Sequence, residues 1–276
     1  MATVNTHCVD LESGSSQYLS RADEALISIT GNLTIECWIQ FESLPASDNT
    51  MNIVGKTAAS NASYVFKMLN PSGVLTLAFT NSVNGTDLLT ASVAWTASTG
   101  VWYHVAVVYT AAGGTADFYV NGVQQGTQQS GLATSIFDGT AALHIGAANA
   151  GDFFDGKIDD VRLWSTTRTA ANILDNIRVE IDSATNLVGS WHLNNALTDS
   201  SGNALTLTNN GVATFSTQVP WFEISDTTGA ATESVIWEHA ISPTDTAGTP
   251  TETVTNKYGW GNLVKSSASW SNQSKS

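Results

Sequence analysis

VWYHVAVVYTAAGGTADFYVNGV, residues Val101–Val123, is two strand-like runs joined by a Gly-Gly turn. In the first run Val101, Tyr103, Val105, Val107 and Tyr109 alternate with Trp102, His104, Ala106 and Val108. Both alternating sets are largely apolar, which predicts a strand covered on both faces. In the second run Ala116, Phe118 and Val120 share one face, and Thr115, Asp117 and Tyr119 the other, the pattern of a half-buried strand. Asn121-Gly122 supplies the two positive-φ positions of a tight hairpin turn into Val123. A doubly covered strand beside a half-covered one implies two stacked sheets.

Outward from this stretch the same pattern recurs. His7–Leu11 reads as a short strand with Val9 and Leu11 inward. Asn32–Phe41 places Leu33, Ile35, Cys37, Ile39 and Phe41 on one face and Thr34, Glu36, Trp38 and Gln40 on the other. Met51–Gly55, Tyr64–Leu69, Val74–Phe79, Leu88–Val93, Leu143–Gly146, Lys157–Trp164 and Leu187–Leu193 also read as strands. A helix is expected over Thr169–Ile177, capped by Thr169, with Ile173, Leu174 and Ile177 as its apolar stripe. Many short strands, frequent turns and one short helix predict an all-β, antiparallel two-sheet jelly-roll sandwich.

Composition narrows the function. The chain has 276 residues, of which 42% are hydrophobic and only 12% charged. Its formal net charge is −14 with ten Lys and Arg, so the basic footprint of a nucleic-acid partner is missing. No apolar run reaches membrane-spanning length, so no membrane insertion is expected. The opening MATVNTHCVDLES lacks the basic and apolar regions of a signal peptide. Cys8 and Cys37 are too few for a disulfide scaffold and read as buried thiols.

Near Val219 the character changes to Thr and Ser broken by prolines. Four tryptophans, Trp221, Trp237, Trp260 and Trp270, nevertheless lie beyond it. Disordered linkers lack aromatics. Residues 1–219 are therefore expected to form the jelly roll, and 220–276 a small C-terminal β appendage for assembly or docking, with Trp237 and Trp260 as its buried anchors.

Three segments carry a family resemblance: GNLTIECWIQF (31–41), GVWYHVAVVYTAAGGTADFYVNGVQ (100–124) and FDGKIDDVRLWSTTRTAANI (154–173). Together they resemble the laminin-G-like, concanavalin-A-like lectin jelly roll over about residues 5–215. LVGSWHLNNALTDSSGN (187–203) resembles a segment that many members carry before their first strand. Here it follows the others, as in a circularly permuted layout that pairs 187–193 near 7–11.

The resemblance implies a structural calcium (Ca2+). By carry-over its ligands would be Asp159 in KIDDV and Asp199 in TDSSGN, with Asp10 and Asn203 as weaker candidates. Calcium wants six to eight oxygens. The plainer alternative has Asp199 in an Asx turn and Asp159 bonded to backbone amides. Enzymes with this fold place carboxylates as Glu-x-Asp-x-Glu, and no such triplet occurs; Asp159 and Asp160, adjacent on a strand, would point to opposite faces. The chain also lacks a Gly-x-Ser-x-Gly elbow and phosphate-binding glycine motifs. Trp95 and Phe153 lie in expected loops and are candidate glycan contacts, Phe153-Phe154 being alternatively an anchor for the cluster of Asp152, Asp155, Asp159 and Asp160 around Gly156.

The expectation is a non-catalytic binding or adhesion module for a glycan or cell-surface ligand. Members usually work outside cells. The Met1 start, low charge and aromatic tail favour a virion-surface protein, a phage decoration or receptor-binding protein whose tail docks to a capsid or forms a homotrimer. A bacterial cell-surface adhesin domain and a divergent glycoside hydrolase are the alternatives.

Overall fold

The Val101–Val123 stretch folds as two neighbouring strands and the turn into a third. This computed structural model describes residues 5–148, 151–224 and 235–237. The strands in chain order are β1 (Cys8–Leu11), β2 (Tyr18–Arg21), β3 (Leu33–Phe41), β4 (Thr50–Lys56), β5 (Tyr64–Leu69), β6 (Thr76–Ser82), β7 (Leu88–Ala94), β8 (Trp102–Thr110) and β9 (Thr115–Val120). They continue with β10 (Val123–Gln129), β11 (Leu143–Ile145), β12 (Gly156–Trp164), β13 (Leu187–Trp191), β14 (Thr208–Asn210), β15 (Thr214–Ser216), β16 (Phe222–Ile224) and β17 (Val235–Trp237); helix α1 is Ala170–Asp175.

One sheet runs β10-β9-β8-β3-β12-β1-β15, with β13 also paired to β12. The second runs β14-β2-β11-β4-β5-β6-β7. Every strand pairing within the two sheets is antiparallel. Between the sheets lies one core, filled by the alternate residues expected: Leu33, Ile35, Cys37, Ile39 and Phe41 from β3, Val105, Val107 and Tyr109 from β8, and Phe66, Met68, Leu77 and Phe79 from the facing sheet. This is the antiparallel two-sheet sandwich the alternation predicts.

Asn121 and Gly122 turn β9 into β10 with φ of +50° and +76°, the geometry the Asn-Gly pair requires. The second face of β8 is covered too, but by a helix rather than a sheet. His104, Ala106 and Val108 point away from the core, and Ala106 and Val108 pack with Tyr119 and Ile173 of α1. The helix is shorter than expected. Thr169 caps it in a reciprocal box with Asn172, and Ile173 is its single buried residue. Leu174 is 46% exposed, and Ile177 lies beyond the helix end at Asp175.

β1 and β13 lie in tandem along one edge of β12. Val9 to Leu11 pair with Ile158 to Gly156, and Trp191 to Leu187 pair with Val161 to Trp164. Asn194 Oδ1 clamps the junction by accepting from the backbone N–H of Thr6 (2.7 Å) and His7 (3.2 Å). The late segment thus occupies the place beside the first strand that its permuted position demands.

The described residues belong to one unit, Met1–Ile241. Within the expected appendage β16 pairs with β17 as a separate two-stranded sheet. Trp237 ends β17, whereas Trp260 lies outside the described residues. Cys8 and Cys37 are buried free thiols. No helix among the described residues is long and apolar enough to cross a membrane.

Candidate functional site

The outer face of the β14-β7 sheet is built from the polar half of each strand's alternation. One row crosses it as Thr208, Ser20, His144, Gly55, Val65, Thr80 and Thr90. A neighbouring row is Asn52, Lys67, Ala78 and Ser92. A bulge between Asn52 and Val54 lets both Asn52 and Gly55 face outward. A hollow of about 260 Å³ opens here, lined by Asn52, Ser63, Lys67, Thr80, Asn81 and Asp152 among others.

A loop forms its rim. The Asn52 backbone N–H donates to Asp152 O at 2.9 Å, and its side-chain amide reaches Asp152 O (3.2 Å) and Gly151 O (3.4 Å). Asp152 sits at φ +49°. Beyond the rim stand three half-buried rings. Tyr18 meets His144 edge-on at 5.1 Å and lies tilted against Phe153 at 5.9 Å. Burial lowers the His144 pKa, so the ring is neutral at physiological pH. Burial also lowers that of Lys67, opposed by the charge of Asp152.

The outer face of the other sheet is different. Its polar row is sealed. Glu36 is fully buried; it accepts from Trp164 Nε1 at 2.8 Å, with Arg168 at 3.4 Å and Arg162 at 3.6 Å. Arg162 also pairs with Asp160 and donates to the carbonyls of Asn176 (3.0 Å) and Val179 (2.6 Å). Trp38 Nε1 donates to Ile177 O at 2.7 Å. The 176–179 segment is thus strapped across the sheet. Burial raises the Glu36 pKa despite the two arginines. It pushes His104, beside those same arginines, well down.

A bulge in β12 between Asp159 and Arg162 corrects the expected split of the two aspartates. Asp159 opposes Trp38 and Arg162 opposes Glu36, while Asp160, at φ +44°, turns its carboxylate to Arg162. Both aspartates therefore leave the core side to Ile158 and Val161. Gly156 begins this strand at φ +136°, where a Cβ would lie 2.1 Å from Gln40 O.

Of the four residues expected to hold calcium, Asp199 and Asn203 share one loop, while Asp159 lies on β12 and Asp10 on the neighbouring β1. Asp159 accepts from Asn5 Nδ2 (2.8 Å) and the Asp160 N–H (2.9 Å), and burial raises its pKa well above the carboxylate range. Asp199 accepts the N–H groups of Ser190 (2.9 Å), Ser201 (2.9 Å) and Leu205 (3.0 Å) and the Ser201 hydroxyl (2.8 Å). Asn203, in the same loop, donates to Val188 O (2.8 Å) and Leu187 O (3.2 Å). Asp10 converges instead with Glu12 and Glu42, beside the Lys157 ammonium, which lies 3.4 Å from Asp10. Asp199 and Asp159 thus accept hydrogen bonds from the chain's own donors, and Asp10 belongs to a separate acidic group with Glu12 and Glu42.

Trp95 is corrected from a loop contact to a core residue. It is 9% exposed, edge-on to Tyr103 at 4.9 Å and against Phe41 at 6.2 Å, so neither ring face is free for a sugar. Phe153 keeps a partly exposed ring at the rim. Trp221 is 2% exposed and lies against Trp38 at 5.5 Å, over the sealed sheet face.

A family model described as the concanavalin A-like lectin/glucanases superfamily matches residues 13–174. The chain belongs to this superfamily. Among solved structures, a candidate carbohydrate-binding protein from Bacteroides ovatus is similar with TM-score 0.60 and 19% identity, over 78% of this chain and 60% of that one. A heptameric SAP-like pentraxin from Limulus polyphemus is similar with TM-score 0.51 and 15% identity, over 77% of this chain and 95% of that one. The chain spans about 60% of the Bacteroides protein. At these identities the likeness is one of superfamily fold. The curated proteins give no match. Tyr18, His144, Asn52 and Lys67 were not singled out from the sequence; only Lys67, a lone charge inside YVFKML, stands out there.

Proposed function

We propose that the chain is a non-catalytic carbohydrate-binding module that holds its saccharide on the outer face of the β14-β7 sheet. The observation that carries this reading is the half-buried trio Tyr18, His144 and Phe153 beside a polar hollow of about 260 Å³ on one face. Sugar rings stack on partly exposed aromatic faces while a few polar groups orient them. The superfamily and the likeness to a candidate carbohydrate-binding protein support it. Glu36 is spent on Trp164 and two arginines under a strap, which supports binding over hydrolysis.

The module is proposed to act at a surface, as a phage decoration or receptor-binding protein on the virion, with a cell-surface adhesin as the second reading. Trp221 packed on Trp38 supports a tail that begins docked to the jelly roll and continues as an assembly element toward a capsid or a homotrimer.

A glycan array with the intact chain and a Y18A/F153A variant tests the binding reading. Wild type should bind a defined set of saccharides and the folded variant should lose at least tenfold in affinity. Failure of folded wild type to bind any glycan, or turnover of a polysaccharide, overturns it.

A further inference from the structure

Of the seven Lys and Arg among the described residues, Arg21, Lys56, Lys157, Arg162 and Arg168 all meet a carboxylate within 4.0 Å, and Arg178 has a partner of its own. Lys67 has neither an ion pair nor a hydrogen bond among the described residues, and it lines the hollow on the outer sheet face. In a chain of net charge −14, one uncommitted cation facing a cavity is an exception.

The other polar groups there are largely spent. The Asn52 amide donates to Gly151 O and Asp152 O. Asn81 donates to Ala133 O and accepts the Ala133 N–H. Thr80 Oγ1 bonds Thr90 Oγ1 at 2.8 Å. The charged heads at the hollow are the Lys67 ammonium, inside it, and the Asp152 carboxylate on its rim. Asp152, exposed on the rim loop, is the nearest acid to oppose a second anion, and it lies outside ion-pair distance.

We infer that the hollow selects an acidic saccharide, with Lys67 as counter-ion to the carboxylate of a uronic or sialic acid residue. This rests on the carbohydrate-binding reading above and names its substrate class. A half-buried ammonium without a partner is costly, and a bound carboxylate removes that cost with a charge-assisted hydrogen bond. The aromatic trio would take the neighbouring ring, since Phe153 follows Asp152 directly.

The test is titration calorimetry with two matched pairs: trigalacturonate against its methyl ester, and 3′-sialyllactose against lactose. Wild type should favour the acidic member of at least one pair tenfold or more, and the preference should shrink as salt rises. K67M, shown to be folded by a cooperative melt, should lose the preference, while K67R should keep it. Equal binding of acidic and neutral members, or a preference that survives K67M, overturns the inference but leaves the module a lectin. No binding to any of the four, with none on a glycan array, sinks both readings.

Discussion

Replacing His104 with glutamine should reduce the fold's sensitivity to mild acid. His104 is fully buried on the outward face of β8, edge-on to Trp38 at 5.5 Å, and neither ring nitrogen has a hydrogen-bond partner. Glu36 lies 3.8 Å away, but its charge is already met by Arg162 and Arg168, and both arginines oppose a third cation. Burial and those two charges hold the folded-state pKa well below the ordinary value. An unfolded chain takes up a proton at a histidine pKa of about 6.5 and the folded chain does not. A depressed folded pKa gives stability that is whole above the unfolded pKa and is lost as pH falls toward the folded one. Each pH unit below 6.5 then costs up to about 1.4 kcal/mol until the folded pKa is reached. Urea denaturation of wild type and H104Q from pH 7.5 to 5 measures it, because the other four histidines are common to both and cancel. Parallel curves, or an NMR titration placing His104 near 6.5, would refute the reasoning.

Other expectations concern packing and loops. W221A removes a 2% exposed ring from the Trp38 face and should cost about 3–5 kcal/mol by chemical denaturation; a loss under 1 kcal/mol would mean the tail root is not anchored there. D199A strips four donors of their acceptor and should cost about 2–3 kcal/mol equally in calcium and in chelator, whereas a loss seen with calcium alone would place a cation in that loop. G156A forces a Cβ to within 2.1 Å of Gln40 O and should prevent β12 from pairing as it does, seen as a melting temperature lowered by 10 °C or more; a near-normal melt would show that the strand start relaxes freely.

Much of the architecture was legible because it rests on local rules. Asn121-Gly122 announces a hairpin since few other pairs accept two positive φ angles. The double apolar face of β8 announces two covers. What covers the second face was not legible, because a six-residue helix with one buried isoleucine leaves a weaker periodic trace than a strand. Asp159 and Asp160 misled for a different reason. Period-two alternation holds only where the register is unbroken, and the bulge before Arg162 breaks it with no Gly or Pro to signal it. Trp95 looked like a loop aromatic because it follows β7, yet its N–H still bonds Leu75 O and its ring closes the core. The outer-face trio brings Tyr18, His144 and Phe153 from three distant segments, so only sheet order could unite them.

The pairing of Cys8 with Ser216 has a mechanical consequence. The chain enters β1 and leaves β15 at the same end of two antiparallel neighbours. A pull applied through the segments flanking these strands therefore acts along the ladder's hydrogen bonds, perpendicular to the strands. The bonds would open in succession, as in a zip, instead of sharing the load in shear. Once the Trp221 contact on Trp38 and the Asn194 clamp have given way, tension would peel β15 from β1 while β3, β8 and β12 stayed paired, so this edge yields stepwise and the centre of the sandwich keeps its shape under load.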